Sequence, residues 1–95
     1  MTEEMKIQTK IMRTLEAMNI RYCSTSNPRR TLNTIGTPDL FVFNRFNRTW
    51  FAYEVKTESG VCSPSQLELL KLGAIVVVRS VDDVLKDLTI RGILK

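Results

Sequence analysis

The chemistry this chain can perform is concentrated in two short stretches, Glu54-Val55-Lys56 and Pro38-Asp39. On a strand, alternate side chains share a face. Glu54 and Lys56 therefore project together with Trp50 and Ala52, while Phe51, Tyr53 and Val55 point into the opposite layer. Pro38 fixes the backbone where another strand begins, and Asp39 follows directly. Fourteen residues separate Asp39 from Glu54. A hairpin over that span sets Asp39 beside Glu54 and Lys56. Each piece has a plainer reading: an exposed ion pair where a strand emerges into water, and a turn, in which Pro and Asp are both common. Together they make a coherent site. Mg²⁺ takes one or two carboxylates along with waters and substrate phosphate oxygens, and the backbone carbonyl of Val55 could add a ligand. A metal held there would activate water and offset charge building on a phosphate. Lys56 would orient that water or stabilise the anionic transition state.

Composition removes most other chemistries. The chain has 95 residues, no histidine and two cysteines. A Ser-His-Asp triad, a Cys-His pair and a histidine-base nuclease are all excluded. Cys23 and Cys62 make neither a disulfide framework nor a zinc knuckle, and both are expected to be small buried hydrophobes. The net charge of +4 and pI of about 9.4 favour a polyanionic partner such as nucleic acid; a basic, solvated surface is the alternative. The length predicts one domain over residues 1–95. A domain this small buries only about 60–65% of its unfolded surface, so homodimerisation would be a natural supplement. No apolar run approaches the ~20 residues that span a bilayer. The polar, acidic start has no signal-type apolar stretch, which predicts a cytoplasmic protein with no membrane partner.

The elements that must position these residues are legible from periodicity and caps. Ile7, Ile11, Leu15 and Met18 form one stripe of an amphipathic helix over residues 3–18, with Thr2 as N-cap and Glu3 and Glu4 in the first turn. Ile20 to Ser24 reads as a short strand, and residues 25–37 as a long polar loop. Leu40–Phe43 and Thr49–Lys56 read as strands paired in a hairpin around a turn at residues 44–48. Ser63-Pro64-Ser65-Gln66 opens a helix with a capping box, which Gly73 ends. Ala74–Val78 has the continuous apolar character of a strand buried on both faces, and Ser80 caps a last short helix. The order α-β-β-β-α-β-α predicts an α/β fold, a small mixed sheet flanked by helices, with residues 49–78 as a strand–helix–strand crossover.

The pattern Pro38-Asp39 followed by Glu54-Val55-Lys56 resembles the PD-(D/E)xK nuclease superfamily and its restriction-endonuclease-like core. Gly36-Thr37-Pro38-Asp39-Leu40, Tyr53-Glu54-Val55-Lys56-Thr57, Ser63-Pro64-Ser65-Gln66 and Leu72-Gly73-Ala74 occur in an order similar to the virus-type replication-repair nuclease (VRR-NUC) family. That resemblance covers almost the whole chain. It implies a Mg²⁺- or Mn²⁺-dependent phosphodiesterase with no small-molecule cofactor. The metal would be held by Asp39, Glu54 and the Val55 carbonyl. Lys56 would be the catalytic lysine and Gln66 the helix glutamine. A glutamate from a helix would assist the metal. Stand-alone members are typically homodimers acting on branched DNA, especially four-way (Holliday) junctions, and suit a phage or bacterial genome.

Which glutamate that is can be argued from the residues. At about 100° per residue, the apolar stripe of the first helix is centred within roughly 20° of Glu4, whereas Glu3 lies to one side and Glu16 on the far face. A carboxylate at a core-facing position is costly unless paired or bound to metal, so Glu4 is the candidate. Its plainer role is to complement the helix dipole, as the capping box is for Gln66. Arg29 and Arg30 on the long loop, and Arg45 and Arg48 on the hairpin turn, are the candidates for DNA phosphate contacts; solvated loop charge is the alternative. Phe43, Phe46 and Trp50 could stack on unpaired bases, although such aromatics are more often core or interface residues. The expected function is metal-dependent hydrolysis of DNA, probed against two rivals: a junction-binding module that cuts nothing, and a nuclease preferring flaps, nicked duplex or RNA.

Overall fold

Seven elements follow one another in the computed structural model, which describes residues 2–25 and 38–94. They are α1 (Glu3–Ala17), β1 (Tyr22–Ser24), β2 (Leu40–Asn44), β3 (Thr49–Val55), α2 (Pro64–Lys71), β4 (Val76–Val78) and α3 (Val81–Ile90). The order is the α-β-β-β-α-β-α expected. Arg29, Arg30, Gly36, Thr37 and the polar loop after Thr25 lie outside the described residues.

The strands form one sheet in the order β1-β2-β3-β4. β2 is antiparallel to both β1 and β3, and β4 is parallel to β3, as a crossover through α2 requires. Leu40, Val42, Phe51, Tyr53, Val55 and Val78 line one face. The stripe Ile11 and Leu15 of α1 and the pair Val84 and Leu88 of α3 close over them as a single buried core. This packing buries one face of β2 and β3 and Val78 of β4, while β1 contributes only the half-buried Tyr22.

The helices begin where their caps dictate. The Thr2 side chain accepts from the Met5 N–H at 3.1 Å, and the Ser80 side chain accepts from the Asp83 N–H at 3.2 Å. Gly73 and Gly92 follow α2 and α3 at positive φ, where glycine carries no Cβ penalty.

Two expectations need correction. Ala74–Val78 is not a strand buried on both faces. β4 covers only Val76–Val78 at the sheet edge, Val76 and Val77 are half-buried and Ala74 is exposed. The apolar run is needed because Val76 and Val78 face the core while Val77 shares the Glu54 side. The cysteines are not buried hydrophobes either: Cys23 is exposed and Cys62 partly so. Cys23 pairs with Phe41, which sets it on the sheet face away from α1 and α3.

A polar cluster locks α3 to the sheet. The buried Tyr53 hydroxyl donates to Asp87 Oδ2 at 2.6 Å, and Arg91 Nε donates to the same oxygen at 2.6 Å. The Arg91 guanidinium lies 3.9 Å from the centre of the Phe51 ring, a cation–π contact. Burial and the Asp87 hydrogen bond push the Tyr53 phenol far above its ordinary value, so it stays a neutral donor. Tyr53→Phe should lower unfolding stability by about 1–2 kcal/mol, measured by urea denaturation; stability equal to wild type would show that this hydrogen bond contributes nothing net.

Candidate metal and active site

Asp39 and Glu54 meet because of the hairpin register. Leu40 pairs with Tyr53, and one further step sets Asp39 opposite Glu54, with both side chains on the same face. Asp39 is then fixed through its carboxylate and its carbonyl. Its Oδ2 accepts from the Val55 N–H at 2.8 Å, and its carbonyl accepts from the Thr25 N–H at 3.0 Å. The Thr25 hydroxyl donates to the carbonyls of Pro38 and Asp39. Beyond β3 the ladder runs on: the Lys56 N–H donates to the Val78 carbonyl at 3.0 Å. Lys56 thus turns its peptide toward β4, and Val55 turns its own toward β2 and Asp39.

Glu54 is the centre of the cluster. It is 3% exposed, and its two oxygens have different surroundings. Oε1 accepts from Gln66 Nε2 at 2.6 Å and lies 3.7 Å from Lys56 Nζ. Oε2 is buried and has no hydrogen-bond partner among the described residues. Burial, and then the negative charge of Asp39, push the Glu54 carboxyl up to about 7. The Lys56 ammonium pulls the other way and does not cancel them, while the charge of Glu4 adds to the rise.

Gln66 serves both ends of its side chain. Its Oε1 accepts from the Ser63 N–H at 2.8 Å, and its own N–H donates to the Ser63 hydroxyl. This is the capping box. The amide nitrogen left over is the one that reaches Glu54. The cap and the site are therefore one device, in which the start of α2 aims a donor at β3.

Several residues that hold this geometry were missed in the sequence. Gln8 is 1% exposed, and its amide donates to Ser24 Oγ at 3.3 Å. It sits one turn after Glu4 and on the stripe of Ile11 and Leu15, so the helical period could have found it. It ties α1 to β1 next to Thr25, which holds Asp39. Arg79 gave no periodic signal. Its guanidinium donates to the carbonyls of Thr57, Glu58 and Gly60 at 2.6, 3.2 and 2.8 Å, gathering the loop that leads from Lys56 to α2. Gly60 fits closely in that loop: a Cβ there would stand 3.1 Å from Thr57 Oγ1 and 3.2 Å from Thr57 N, so Thr57 would have to shift by a few tenths of an ångström to admit one.

The remaining candidates fall as follows. Glu4 is half-buried at the start of α1 and reaches Glu54 by its charge. Among the described residues no group of three acidic or thiol side chains gathers at metal-ligand spacing, so Asp39 and Glu54 stand as a pair. Arg45 and Arg48 lie on the turn at the opposite end of the hairpin from that pair. The residues present fit a hard divalent cation: two adjacent carboxylates under mutual repulsion, with one buried oxygen unsatisfied. Comparison of the chain with known protein families, with curated proteins and with solved structures finds no match.

The Glu54 environment sets a pH dependence. A carboxyl whose folded value lies above its unfolded one favours the protonated folded form. That stabilisation is complete below about pH 4.5 and is lost as pH rises through about 7. The full amplitude is about 3 kcal/mol. With no histidine in the chain, little else titrates in that window. In chelator, the urea midpoint should fall between pH 5 and pH 8, and Glu54→Gln should flatten the fall; a Glu54→Gln profile parallel to wild type would contradict the assignment.

Proposed function

We propose that this chain is a divalent-metal-dependent phosphodiesterase acting on DNA, of the VRR-NUC type within the PD-(D/E)xK nucleases. The observation that carries the reading is the buried, half-satisfied Glu54 carboxylate opposite Asp39, with Lys56 and Gln66 on its other oxygen. Burying two like charges together is expensive unless a cation accompanies them.

Asp39 and Glu54 would hold the cation, Mg²⁺ or Mn²⁺, with the Val55 carbonyl as a further oxygen ligand. When bound, such an ion supplies Lewis-acid polarisation of the phosphoryl oxygen and lowers the pKa of a bound water. The chain's own residues do the rest. Lys56 sets a positive charge beside the carboxylates, where it steadies the attacking water or the charge on the phosphate. Gln66 fixes the Glu54 rotamer by holding Oε1, which leaves Oε2 directed at the site. Thr25, through the Asp39 carbonyl, keeps the second carboxylate in register. Glu4 adds negative charge that strengthens attraction for a cation.

Branched DNA is the favoured substrate, on the strength of the ordered sequence blocks. A homodimer would present two such sites at matched spacing on paired strands. The small fold supports this, as does the surface flanking edge strand β4. Val61, Leu67, Leu70 and Ile90 line a groove there with Val76 and Val78 and are exposed, and α2 buries none of its residues.

Wild-type protein should cut a synthetic four-way junction with Mg²⁺ or Mn²⁺ and stop in chelator. Asp39→Ala should reduce the rate by at least about 1000-fold while circular dichroism stays native. Asp39→Ala cutting at the wild-type rate would remove the site assignment. A panel of junction, flap, nicked duplex and single strand fixes the substrate. Sedimentation at micromolar concentration should return twice the 10.9 kDa chain mass; a monomer that still cuts junctions symmetrically would contradict the dimer.

A further inference from the structure

At the hairpin end of the sheet, away from the carboxylates, lies a cleft of about 780 Å³ lined by Arg21, Tyr22, Phe43, Arg45, Phe46 and Trp50. Tyr22 packs against the core, whereas Phe43, Phe46 and Trp50 are not part of it. Trp50 is 50% and Phe46 64% exposed, and the buried cluster is completed without them. Phe43 and Trp50 are a cross-strand pair with ring centres 5.1 Å apart. The Phe43 N–H donates to the Arg21 carbonyl at 2.9 Å, which sets Arg21 beside Phe43 on the neighbouring strand. The Arg45 guanidinium lies 5.1 Å from the Phe46 ring centre. Among the described residues the acidic side chain lining the cleft is Glu16, which accepts from the Tyr22 hydroxyl at 2.5 Å. Two arginines beside exposed rings, with the local carboxylate occupied, make a surface complementary to an anionic chain that carries flat apolar groups.

We propose that this cleft binds an unpaired nucleobase, stacked on Trp50 and Phe46, with the adjoining phosphates met by Arg45 and Arg21. Stacking on aromatic side chains beside a cationic groove is the general means of holding single-stranded nucleic acid. The proposal rests on the phosphodiesterase reading and gives it a second contact. By strand alternation, Trp50 and Glu54 share one face of β3. They are four positions apart, about 13 Å at ~3.3 Å per residue. That matches about four stacked nucleotides at ~3.4 Å each, and fewer of an extended strand. A strand whose phosphate lies at Asp39 and Glu54 would therefore present an unpaired base to the cleft a few nucleotides away.

Trp50 is the chain's one tryptophan, so its emission reports on the cleft directly. Metal-free Asp39→Ala protein, which the reading above makes unable to cut, is titrated with single-stranded oligothymidylate. Saturable quenching of Trp50 is expected, with little from a strand of the same length carrying abasic residues. Phe46→Ala and Arg45→Ala, both exposed positions, should each weaken binding about 5- to 100-fold by anisotropy of a labelled strand, and Trp50→Phe should retain most of it. Equal quenching by the abasic strand, or wild-type affinity in the Phe46→Ala/Arg45→Ala double variant, overturns the cleft. The two readings fail separately. Wild-type protein that shows base-dependent quenching but cuts no DNA with any divalent ion loses the active site and keeps the cleft. Protein that cuts DNA without base-dependent quenching loses the cleft and keeps the active site.

Discussion

The Glu54 carboxylate, removed from water at the end of β3, is the constraint on which the rest of the site depends. One of its oxygens is held by an amide and approached by an ammonium, and the other has no hydrogen-bond partner among the described residues. A second carboxylate stands across the strand pair from it. A fold that only needed to be stable would fill this position with an apolar side chain, since a buried charge is costly even when partly paired. The chain instead surrounds Glu54 with polar groups: Gln66 from α2, Lys56 just past the end of β3 and Asp39 just before β2. Such concentration of polar groups supports the proposed site, in which local stability is given up for chemistry.

The supports are hierarchical. The sheet face toward α1 and α3 is ordinary core, and it fixes strand register. Register then fixes which residues stand across from one another on the other face, from Phe43 and Trp50 at one end to Asp39 and Glu54 at the other. Side-chain hydrogen bonds finish the positioning where the ladder ends. Thr25 holds the Asp39 carbonyl, Arg79 holds the loop after Lys56, and the capping box of α2 frees one amide nitrogen for Glu54. A slip of β2 by one residue against β3 would turn Asp39 toward α1 and α3, away from Glu54, and expose Leu40 and Val42, so the packing of the core and the geometry of the site enforce each other.

Element type and order were legible in the sequence, because helical stripes, strand alternation and caps are local signals. The juxtaposition of Asp39 with Glu54 and Lys56 was legible too, since a hairpin is a local structure whose register follows from its length. The dual role of Gln66 could be read at its cap but not at its far end, because only the fold sets the start of α2 over β3. Gln8 was hidden by its polarity on a stripe defined by apolar residues. Arg79 was hidden because its partners are carbonyls, which carry no sequence signature. The edge position of β4 was misread: a run of valines looks the same whether one or two neighbours flank the strand. The cysteines were misread because composition says nothing about which face a residue takes.

The central claim, that Asp39 and Glu54 jointly hold a divalent cation, is tested most directly by anomalous diffraction from a crystal soaked in manganese at neutral pH. The account predicts one strong peak bridging an oxygen of Asp39 and Oε2 of Glu54 at about 2.0–2.2 Å, close to the Mg²⁺ distance, with Lys56 beside it. Full-occupancy manganese elsewhere on the chain, with Asp39 and Glu54 bound only to protein groups, would contradict it.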